Sequence, residues 1–159
     1  MFKIESLGKG LYVIHYLNKI MFFSIYKCTK RYSSLEWELQ SILDICRNKI
    51  TALIPVNAII TDLQIIQGVF NFYIYKESFA KIRNKGLLLS MFILGMDQLK
   101  TTIDFLTRKY NESSEYFLVI LDKIKVNRGK CIPYSFKSNF ERNELLILSK
   151  NISNILEKL

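Results

Sequence analysis

The alternation of apolar and polar residues at the start of the chain indicates β-strands. Residues 2–6 alternate with the period of two that half-buried strands have. Turn residues follow at 7–10, and a second apolar run occupies 11–17, so the pattern predicts a β-hairpin. Residues 21–28 predict a third strand, and the apolar run 116–121 predicts a buried strand later in the chain.

Three capping boxes predict where helices begin, at Ser33 with Glu36, at Thr61 with Gln64 and at Ser138 with Glu141. Apolar residues at helical spacing follow each of them. The first set is Trp37, Leu39, Ile42, Leu43 and Cys46, and the second is Ile65, Ile66, Val69, Phe70 and Tyr73. The last set is Leu145, Leu148, Ile152, Ile155 and Leu159. We therefore expect a first helix running to about residue 48, a second after Thr61 and a terminal helix.

Two further helices are predicted between 85 and 110. The apolar run 87–94 indicates a buried helix, which Gly86 lets the chain enter tightly. Asp97 is placed as the N-cap of a helix over 98–109, whose apolar stripe is Leu99, Ile103 and Leu106. The preceding run 50–60 contains Pro55, which cannot donate to a strand ladder, so that strand is predicted at a sheet edge or interrupted there.

The order of these elements predicts the fold class. A chain of 159 residues is expected to form one domain, and 50% of its residues are apolar, enough for a sizeable core. Strands come first and helices lie between the later strands. We expect a single α/β (α+β) domain over 1–159, with a mixed β-sheet packed against several α-helices.

The charge balance favours a polyanionic partner. Lys and Arg total 23 against 14 Asp and Glu, a net charge of +9, which suits RNA, DNA or an anionic surface. A soluble protein with Lys-rich residue usage explains the same surplus. The basic run 123–130 is interpreted as a charged strand edge, followed by an extended or turn segment.

Three scattered cysteines, Cys28, Cys46 and Cys131, make a disulfide framework unexpected and favour a reducing, cytoplasmic setting. The N-terminus lacks the uninterrupted apolar core of a signal peptide, and the longest apolar run is shorter than a membrane span. The single histidine, His15, lies in a strand pattern. One histidine with dispersed cysteines does not form a zinc site.

No catalytic constellation is present in the sequence. The serines lack a histidine partner, paired carboxylates in an apolar setting are missing, and Gly8-Lys9-Gly10 lacks the remaining spacing of a phosphate loop. We therefore expect a protein that is not an enzyme and uses no cofactor or metal.

A basic connection between two predicted helices is the best candidate for a binding surface. It carries Lys76, Lys81, Arg83 and Lys85, and Tyr73 and Tyr75 precede it. Cations that neutralise phosphates and aromatic rings that stack on bases are typical of single-stranded nucleic-acid binding. A solvated loop beside core tyrosines explains the same residues. Arg108 and Lys109 could join this surface or simply complement a helix dipole.

The order of motifs in the middle of the chain resembles the small kinase-binding subunit of the KEOPS complex (the TPRKB family). That family has an Asn-Ala pair after a strand, a helix, a basic connection, an apolar helix and a glycine turn that opens another helix. The matching residues here are Asn57, Ala58, Gly95, Gln98, Leu99 and Ile103. Where the family has Ser and Arg in the turn, this chain has Leu94 and Asp97.

The resemblance implies a non-catalytic cytoplasmic subunit that binds the small KEOPS kinase/ATPase and, through it, meets the other KEOPS subunits. It also implies binding of the 3′ CCA end of tRNA, in support of N6-threonylcarbamoyladenosine formation. The residues expected to bind tRNA are Lys81, Arg83, Lys85, Gly95, Gln98, Arg108 and Lys109. The residues expected to bind the kinase are Leu145, Leu148, Ile152, Ile155 and Leu159. The alternative is a basic structural or protein-interaction module with no RNA role.

Overall fold

The first three strands form an antiparallel meander. In the computed structural model, which describes residues 2–46 and 48–136, these strands are β1 (Phe2–Gly8), β2 (Leu11–Tyr16) and β3 (Lys19–Thr29). Residues of β2 face those of β3 from Leu11↔Ser24 to Tyr16↔Lys19. The predicted hairpin and third strand are confirmed. The turn between β1 and β2 places Gly8, Lys9 and Gly10 at positive φ.

Three more strands complete the sheet: β4 (Thr51–Pro55), β5 (Glu115–Ile120) and β6 (Cys131–Pro133). The strand order is β1-β2-β3-β5-β4, and β6 pairs with β3 beyond the end of β2. The edge position expected from Pro55 is confirmed, because β4 is the last strand in this order. β4 ends at Pro55 and continues into a 3₁₀ turn, Val56–Ala58. The strand pairs of the described sheet are all antiparallel, so it is not the mixed sheet expected from the sequence.

Within the described residues, four helices pack on this sheet: α1 (Leu35–Cys46), α2 (Leu63–Tyr75), α3 (Lys85–Leu94) and α4 (Leu99–Glu112). Their buried side chains form two hydrophobic cores with the sheet. One core joins α2 and α3 to a face of the sheet that includes Phe23 and Val119. The other joins α1 and Tyr110 of α4 to the opposite face, which includes Tyr116 and Leu118. The predicted α+β class is confirmed, with β5 buried between the two layers.

Local signals for the start of α2 are confirmed at atomic level. The Gln64 Oε1 atom accepts hydrogen bonds from the backbone N–H groups of Ile60 (2.8 Å) and Thr61 (3.2 Å). The Thr61 hydroxyl accepts from the N–H of Leu63 at 3.3 Å. The capping box therefore fixes this helix start as predicted, and Ile65 and Val69 lie in the core.

The predictions for α1 and α4 need correction. Trp37 and Leu43 of α1 are 65% and 45% exposed, since the inner face of this helix is formed by Glu38, Ile42 and Cys46. In α4, Leu99 and Ile103 are exposed while Leu106 is buried. Each helix is rotated about its own axis relative to the orientation that the apolar spacing predicted, so different residues face the sheet.

A disulfide joins Cys28 and Cys131, contrary to the expectation of unpaired cysteines. The two residues are direct partners in the antiparallel ladder of β3 and β6, with Cα atoms 4.1 Å apart. Pairing of the two strands brings the two sulfur atoms together although 103 positions separate them in sequence. Cys46 is free and buried, and burial raises the pKa of its thiol.

Candidate nucleic-acid interface

The basic connection predicted from the sequence leads from α2 into α3. A 3₁₀ turn, Lys76–Phe79, follows α2, and Lys81 and Arg83 lie exposed beyond it. Lys85 is the first residue of α3 and is half-buried. The Asn84 side chain caps α3 by accepting a hydrogen bond from the N–H of Leu87 at 3.0 Å. This cap fixes the direction in which the basic connection enters the helix.

Gly86 fastens the same connection to the sheet. A Cβ atom at this position would lie 2.3 Å from the carbonyl oxygen of Thr51, the first residue of β4. The glycine is therefore required by close approach of the helix start to the edge strand. This contact fixes the position of the neighbouring Lys85 at the start of α3.

The turn between α3 and α4 contains the predicted residues Gly95 and Gln98. Gly95 has φ 68°, the left-handed conformation that favours glycine after a helix, and its N–H donates to the carbonyl of Met91. Gln98, and not the predicted Asp97, is the N-cap of α4. Its extended backbone lets its carbonyl accept from both the N–H (3.1 Å) and the hydroxyl (2.7 Å) of Thr102.

Two cations near the end of α4 lie against one aromatic ring. The Arg108 guanidinium is 5.5 Å and the Lys109 ammonium 5.6 Å from the centre of the Phe105 ring. Lys109 also lies 4.0 Å from the carboxylate of Glu112. Arg108 is exposed, so its charge is the more available of the two.

The predicted tRNA-binding residues fall into two groups. Lys81, Arg83 and Lys85 lie at the start of α3, and Arg108 and Lys109 lie near the end of α4; we call these five cations together the basic end. The start of α3 approaches Thr51 of β4, whereas α4 leads into β5 near Pro55, at the other end of β4. The second group, Gly95 and Gln98, lies in the turn between α3 and α4, about 15 Å from Lys85 by the rise of ten helical residues.

The tyrosines that precede the basic connection belong to the core. The Tyr73 hydroxyl donates to the carbonyl of Phe22 on β3 at 3.0 Å, and burial with the nearby charge of Asp122 raises its pKa to about 12. Tyr75 is half-buried against the same core. The interpretation of core tyrosines is therefore favoured over that of a stacking platform.

A buried charged cluster on the other side of the sheet was not predicted. We call it the Glu38 network. Glu38 of α1 is fully buried and pairs with Arg128, whose Nη2 atom lies 3.0 Å from Oε1. The Tyr116 hydroxyl donates to the same oxygen at 2.7 Å. Arg128 was interpreted as part of a basic strand edge, but its side chain is only 3% exposed and points inward.

The second carboxylate oxygen of Glu38 is equally well bonded. It accepts from the backbone N–H groups of Arg31 (3.0 Å) and Tyr32 (2.9 Å). The Tyr110 hydroxyl lies 3.3 Å from it and donates at closer range to the carbonyl of Tyr32, at 2.5 Å. The predicted capping box of Ser33 and Glu36 is therefore wrong, because Glu38, and not Glu36, accepts the backbone N–H groups that precede α1. Burial and the charge of Glu38 raise the pKa values of Tyr110 and Tyr116. With every acceptor occupied, the network ties α1, α4, β5 and residue 128 together.

One donor in the network is left without a partner. The Nη1 atom of Arg128 donates to the Ser41 hydroxyl at 3.0 Å, but its Nε atom is buried and has no hydrogen-bond acceptor among the described residues. Of the residues in the network, only Glu38 could have been recognised from the sequence. It lies one helical turn before Ile42, on the inner face of α1.

Comparisons of this chain with family models, curated proteins and solved structures found no match. Within residues 2–46 and 48–136, no helix is long and apolar enough to cross a membrane. The same residues contain no group of three or more His, Cys, Asp or Glu side chains arranged to hold a metal ion. The five apolar residues predicted to bind a kinase, Leu145 to Leu159, lie outside the described residues.

Proposed function

We propose that this protein is a non-catalytic, cytoplasmic subunit of a KEOPS complex. It would bind the small KEOPS kinase/ATPase and the 3′ CCA end of tRNA, and so support formation of N6-threonylcarbamoyladenosine. It would meet the other KEOPS subunits only through the kinase, and it would use no cofactor of its own.

The observation that carries the proposal is the spatial arrangement of the residues that resemble this family. Asn57 and Ala58 lie in the 3₁₀ turn directly after β4, and this turn packs against α4. Gly95 is left-handed between α3 and α4, and Gln98 caps α4. The two halves of the motif are about 40 positions apart in the sequence. Their contact supports treating them as one unit.

Unpaired cations support the RNA-binding part of the proposal. Lys81, Arg83, Lys85 and Arg108 have no carboxylate within 4.0 Å among the described residues. These side chains would contact phosphates. Gly95 would allow close approach of the RNA, and Gln98 would bond a base edge. A strand that touches both Lys85 and Gly95 must run along α3, because these residues lie at its two ends.

The kinase-binding part of the proposal rests on the terminal segment. Its apolar residues Leu145, Leu148, Ile152, Ile155 and Leu159 recur at spacings of three and four, which suits packing on a partner helix. Replacing Leu148 and Ile152 by Asp should abolish co-purification with the kinase. Retained co-purification would remove this surface from the proposal.

A titration with tRNA tests the RNA-binding part. Purified protein is titrated with whole tRNA and with the same tRNA lacking its CCA end, at ~150 mM salt. Binding that requires the CCA end is the expected result. Equal binding to both RNAs would reduce the interaction to general electrostatic attraction, and absence of binding would leave only the kinase-binding part of the proposal.

An apolar groove favours the alternative, a protein-interaction module without an RNA role. The groove lies between α1, α3, α4 and β4, has a volume of about 290 Å³ and includes the exposed side chains of Leu43 and Ile103. The two functions differ in their response to salt. Phosphate contacts give a steep linear fall of log affinity with log salt concentration, whereas an inert basic surface shows little binding at physiological salt.

A further inference from the structure

A second basic feature lies on the sheet face opposite to α2 and α3, far from the predicted tRNA residues in sequence. A cavity of about 440 Å³ opens between the β1–β2 turn, β3 and residues 123–126. Its floor is apolar and consists mainly of Leu7, Leu11, Ile124, Val126 and Pro133. We call it the lysine-rimmed cavity, because Lys9, Lys123 and Lys125 also line it.

Side-chain hydrogen bonds from β3 hold the floor of the cavity in place. The Ser24 hydroxyl donates to the carbonyl of Asp122 at 2.7 Å and accepts from the N–H of Ile124 at 3.2 Å. The Tyr26 hydroxyl donates to the carbonyl of Ile124 at 2.9 Å and accepts from the N–H of Val126 at 3.2 Å. Residues 122–126 are thereby bound to the sheet, so a ligand would meet a wall that is already formed.

The charges at the rim are available to a ligand. Lys9, Lys123 and Lys125 have no carboxylate within 4.0 Å among the described residues. The Lys123 ammonium lies 3.9 Å from the centre of the Phe22 ring, which fixes its position without neutralising it.

Two nearby acidic residues offset only part of this charge. Asp122 pairs with Lys49 at 2.8 Å, and that pairing, together with the backbone N–H and the charge of Lys123, holds the pKa of its carboxyl below the usual range. Asp44 lines an adjoining cavity that Lys123 and Lys125 also border, but it forms no ion pair with either lysine within 4.0 Å. The rim of the lysine-rimmed cavity is therefore positive.

We infer that the lysine-rimmed cavity binds an unpaired nucleotide of RNA, with the base on the apolar floor and the neighbouring phosphates on Lys9, Lys123 and Lys125. Planar bases bury well against an apolar wall, and ammonium groups around it neutralise the backbone. The inference rests on the RNA-binding part of the proposed function but concerns a different surface. It gives the RNA a second contact on the opposite side of the sheet.

The recessed shape of the floor favours a nucleotide over an anionic membrane. Leu7 and Pro133 are exposed, but Leu11 and Ile124 are half-buried and Val126 is buried, so most of the apolar surface lies below the lysines. A membrane-binding surface presents its apolar side chains beyond the cationic ones. The half-buried and buried part of the floor therefore suits an inserted base better than a flat lipid surface.

The test compares two apolar variants that leave the net charge unchanged. Leu7→Ser alters the floor, and Leu17→Ser, at the exposed β2–β3 turn, is its matched control. Oligouridylate of about 12 nucleotides, alone and as a duplex with oligoadenylate, is the probe. We expect Leu7→Ser to weaken binding of the single strand about threefold to tenfold, with the salt slope unchanged and with no effect of Leu17→Ser.

Two charge variants distinguish this cavity from the basic end. Lys9→Gln/Lys123→Gln/Lys125→Gln and Lys81→Gln/Arg83→Gln/Arg108→Gln each remove three positive charges. The first should lower oligouridylate affinity at least tenfold and reduce the salt slope by about 2, as loss of three single-strand phosphate contacts requires. Circular dichroism and thermal unfolding confirm that the variants remain folded.

Several results would overturn the inference. They are equal binding by the Leu7→Ser and Leu17→Ser variants, equal affinity for single strand and duplex, and oligouridylate binding that the Lys9 triple variant leaves unchanged. Binding of phosphatidylserine vesicles that requires Leu7, without an effect on RNA, would assign the cavity to a lipid surface and overturn it too. If the Lys81 triple variant abolishes CCA-dependent tRNA binding while the Lys9 triple variant does not, the proposed function survives and the inference fails. If the unaltered protein binds no RNA, the inference and the RNA-binding part of the proposed function both fail.

Discussion

The Glu38 network and the basic end both contain arginine, but the arginine of the network is buried and bonded whereas Arg83 of the basic end is exposed to solvent. Arg128 is buried and bonded to Glu38 and Ser41, whereas Arg83 is exposed and has no carboxylate within 4.0 Å among the described residues. A buried charge must be compensated inside the protein, because its hydration has been lost. An exposed charge remains hydrated and can exchange its counterions for phosphates. The same residue type therefore serves stability in one place and, in the proposed function, RNA binding in the other.

Replacing each of these arginines by Met should give the largest contrast. Arg128→Met leaves the Glu38 carboxylate buried without its cation, so we expect the free energy of unfolding to fall by about 3–5 kcal/mol. Arg83→Met removes an exposed charge and should change it by no more than about 0.5 kcal/mol. Urea unfolding followed by circular dichroism measures both values. Similar losses in the two variants would show that the buried pair has no special weight.

Loss of the disulfide on the same sheet face as the Glu38 network should have a smaller effect on stability than loss of Arg128. The disulfide between Cys28 and Cys131 closes a long loop, since 103 positions separate the two residues. Reduction, or the Cys28→Ser/Cys131→Ser variant, should lower the free energy of unfolding by about 2–4 kcal/mol. Because a reducing compartment would leave both residues as thiols, this difference also measures how far the fold depends on the bond.

Thiol titration is the control for that experiment. The oxidised protein, once denatured, should show one reactive thiol, that of Cys46, and the reduced protein should show three. Three thiols in the oxidised preparation would mean that the bond does not form in solution.

The features that were predicted correctly depend on neighbouring residues. The capping box of Thr61 and Gln64 spans one helical turn, Pro55 ends the strand that contains it, and Gly95 follows directly on an apolar helix. Each signal acts within a few positions, where backbone geometry and propensity decide the structure. Strands β1 to β5 and the four helices of the described residues could accordingly be predicted from the sequence, and so could the α+β class, whereas β6 was expected only as an extended or turn segment.

The features that were missed depend on long-range pairing. Glu38 bonds a residue 90 positions away, and Cys28 bonds one 103 positions away. Nothing in the spacing around Arg128 distinguishes it from Lys123 or Lys125, yet only Arg128 is turned inward. Which basic residues remain free is decided by tertiary packing, and for that reason the lysine-rimmed cavity was also missed.

Two neighbouring cations at the basic end allow a finer comparison of paired and unpaired charge. Lys109 lies 4.0 Å from Glu112, whereas Arg108 has no carboxylate that close among the described residues. If the basic end contacts tRNA, Arg108→Gln should weaken binding about threefold to tenfold and lower the salt slope by about 1. Lys109→Gln should weaken it less than about twofold, because its charge is partly neutralised already. Filter binding at several salt concentrations gives both quantities, and a reversed order would count against the basic end as the tRNA-binding surface.

The smallest effect on binding is expected at Tyr73, which precedes the basic connection in the sequence but packs in the core. Its hydroxyl is engaged by the carbonyl of Phe22, so Tyr73→Phe should leave tRNA affinity within about twofold of the original value, instead of causing the loss expected for a stacking residue.

The same variant should change stability at alkaline pH. The pKa of Tyr73 is raised to about 12 in the folded protein, mainly by burial, while an unfolded tyrosine ionises near pH 10. Below pH 10 both states keep the proton. Between pH 10 and 12 only the unfolded state loses it, so stability falls with pH in this window. Tyr73→Phe should therefore unfold more easily at neutral pH, where it lacks one hydrogen bond, but lose less stability between pH 10 and 12. Urea unfolding at pH 7, 10 and 11 measures this difference in slope, and an unchanged slope together with weakened tRNA binding would return Tyr73 to the binding surface.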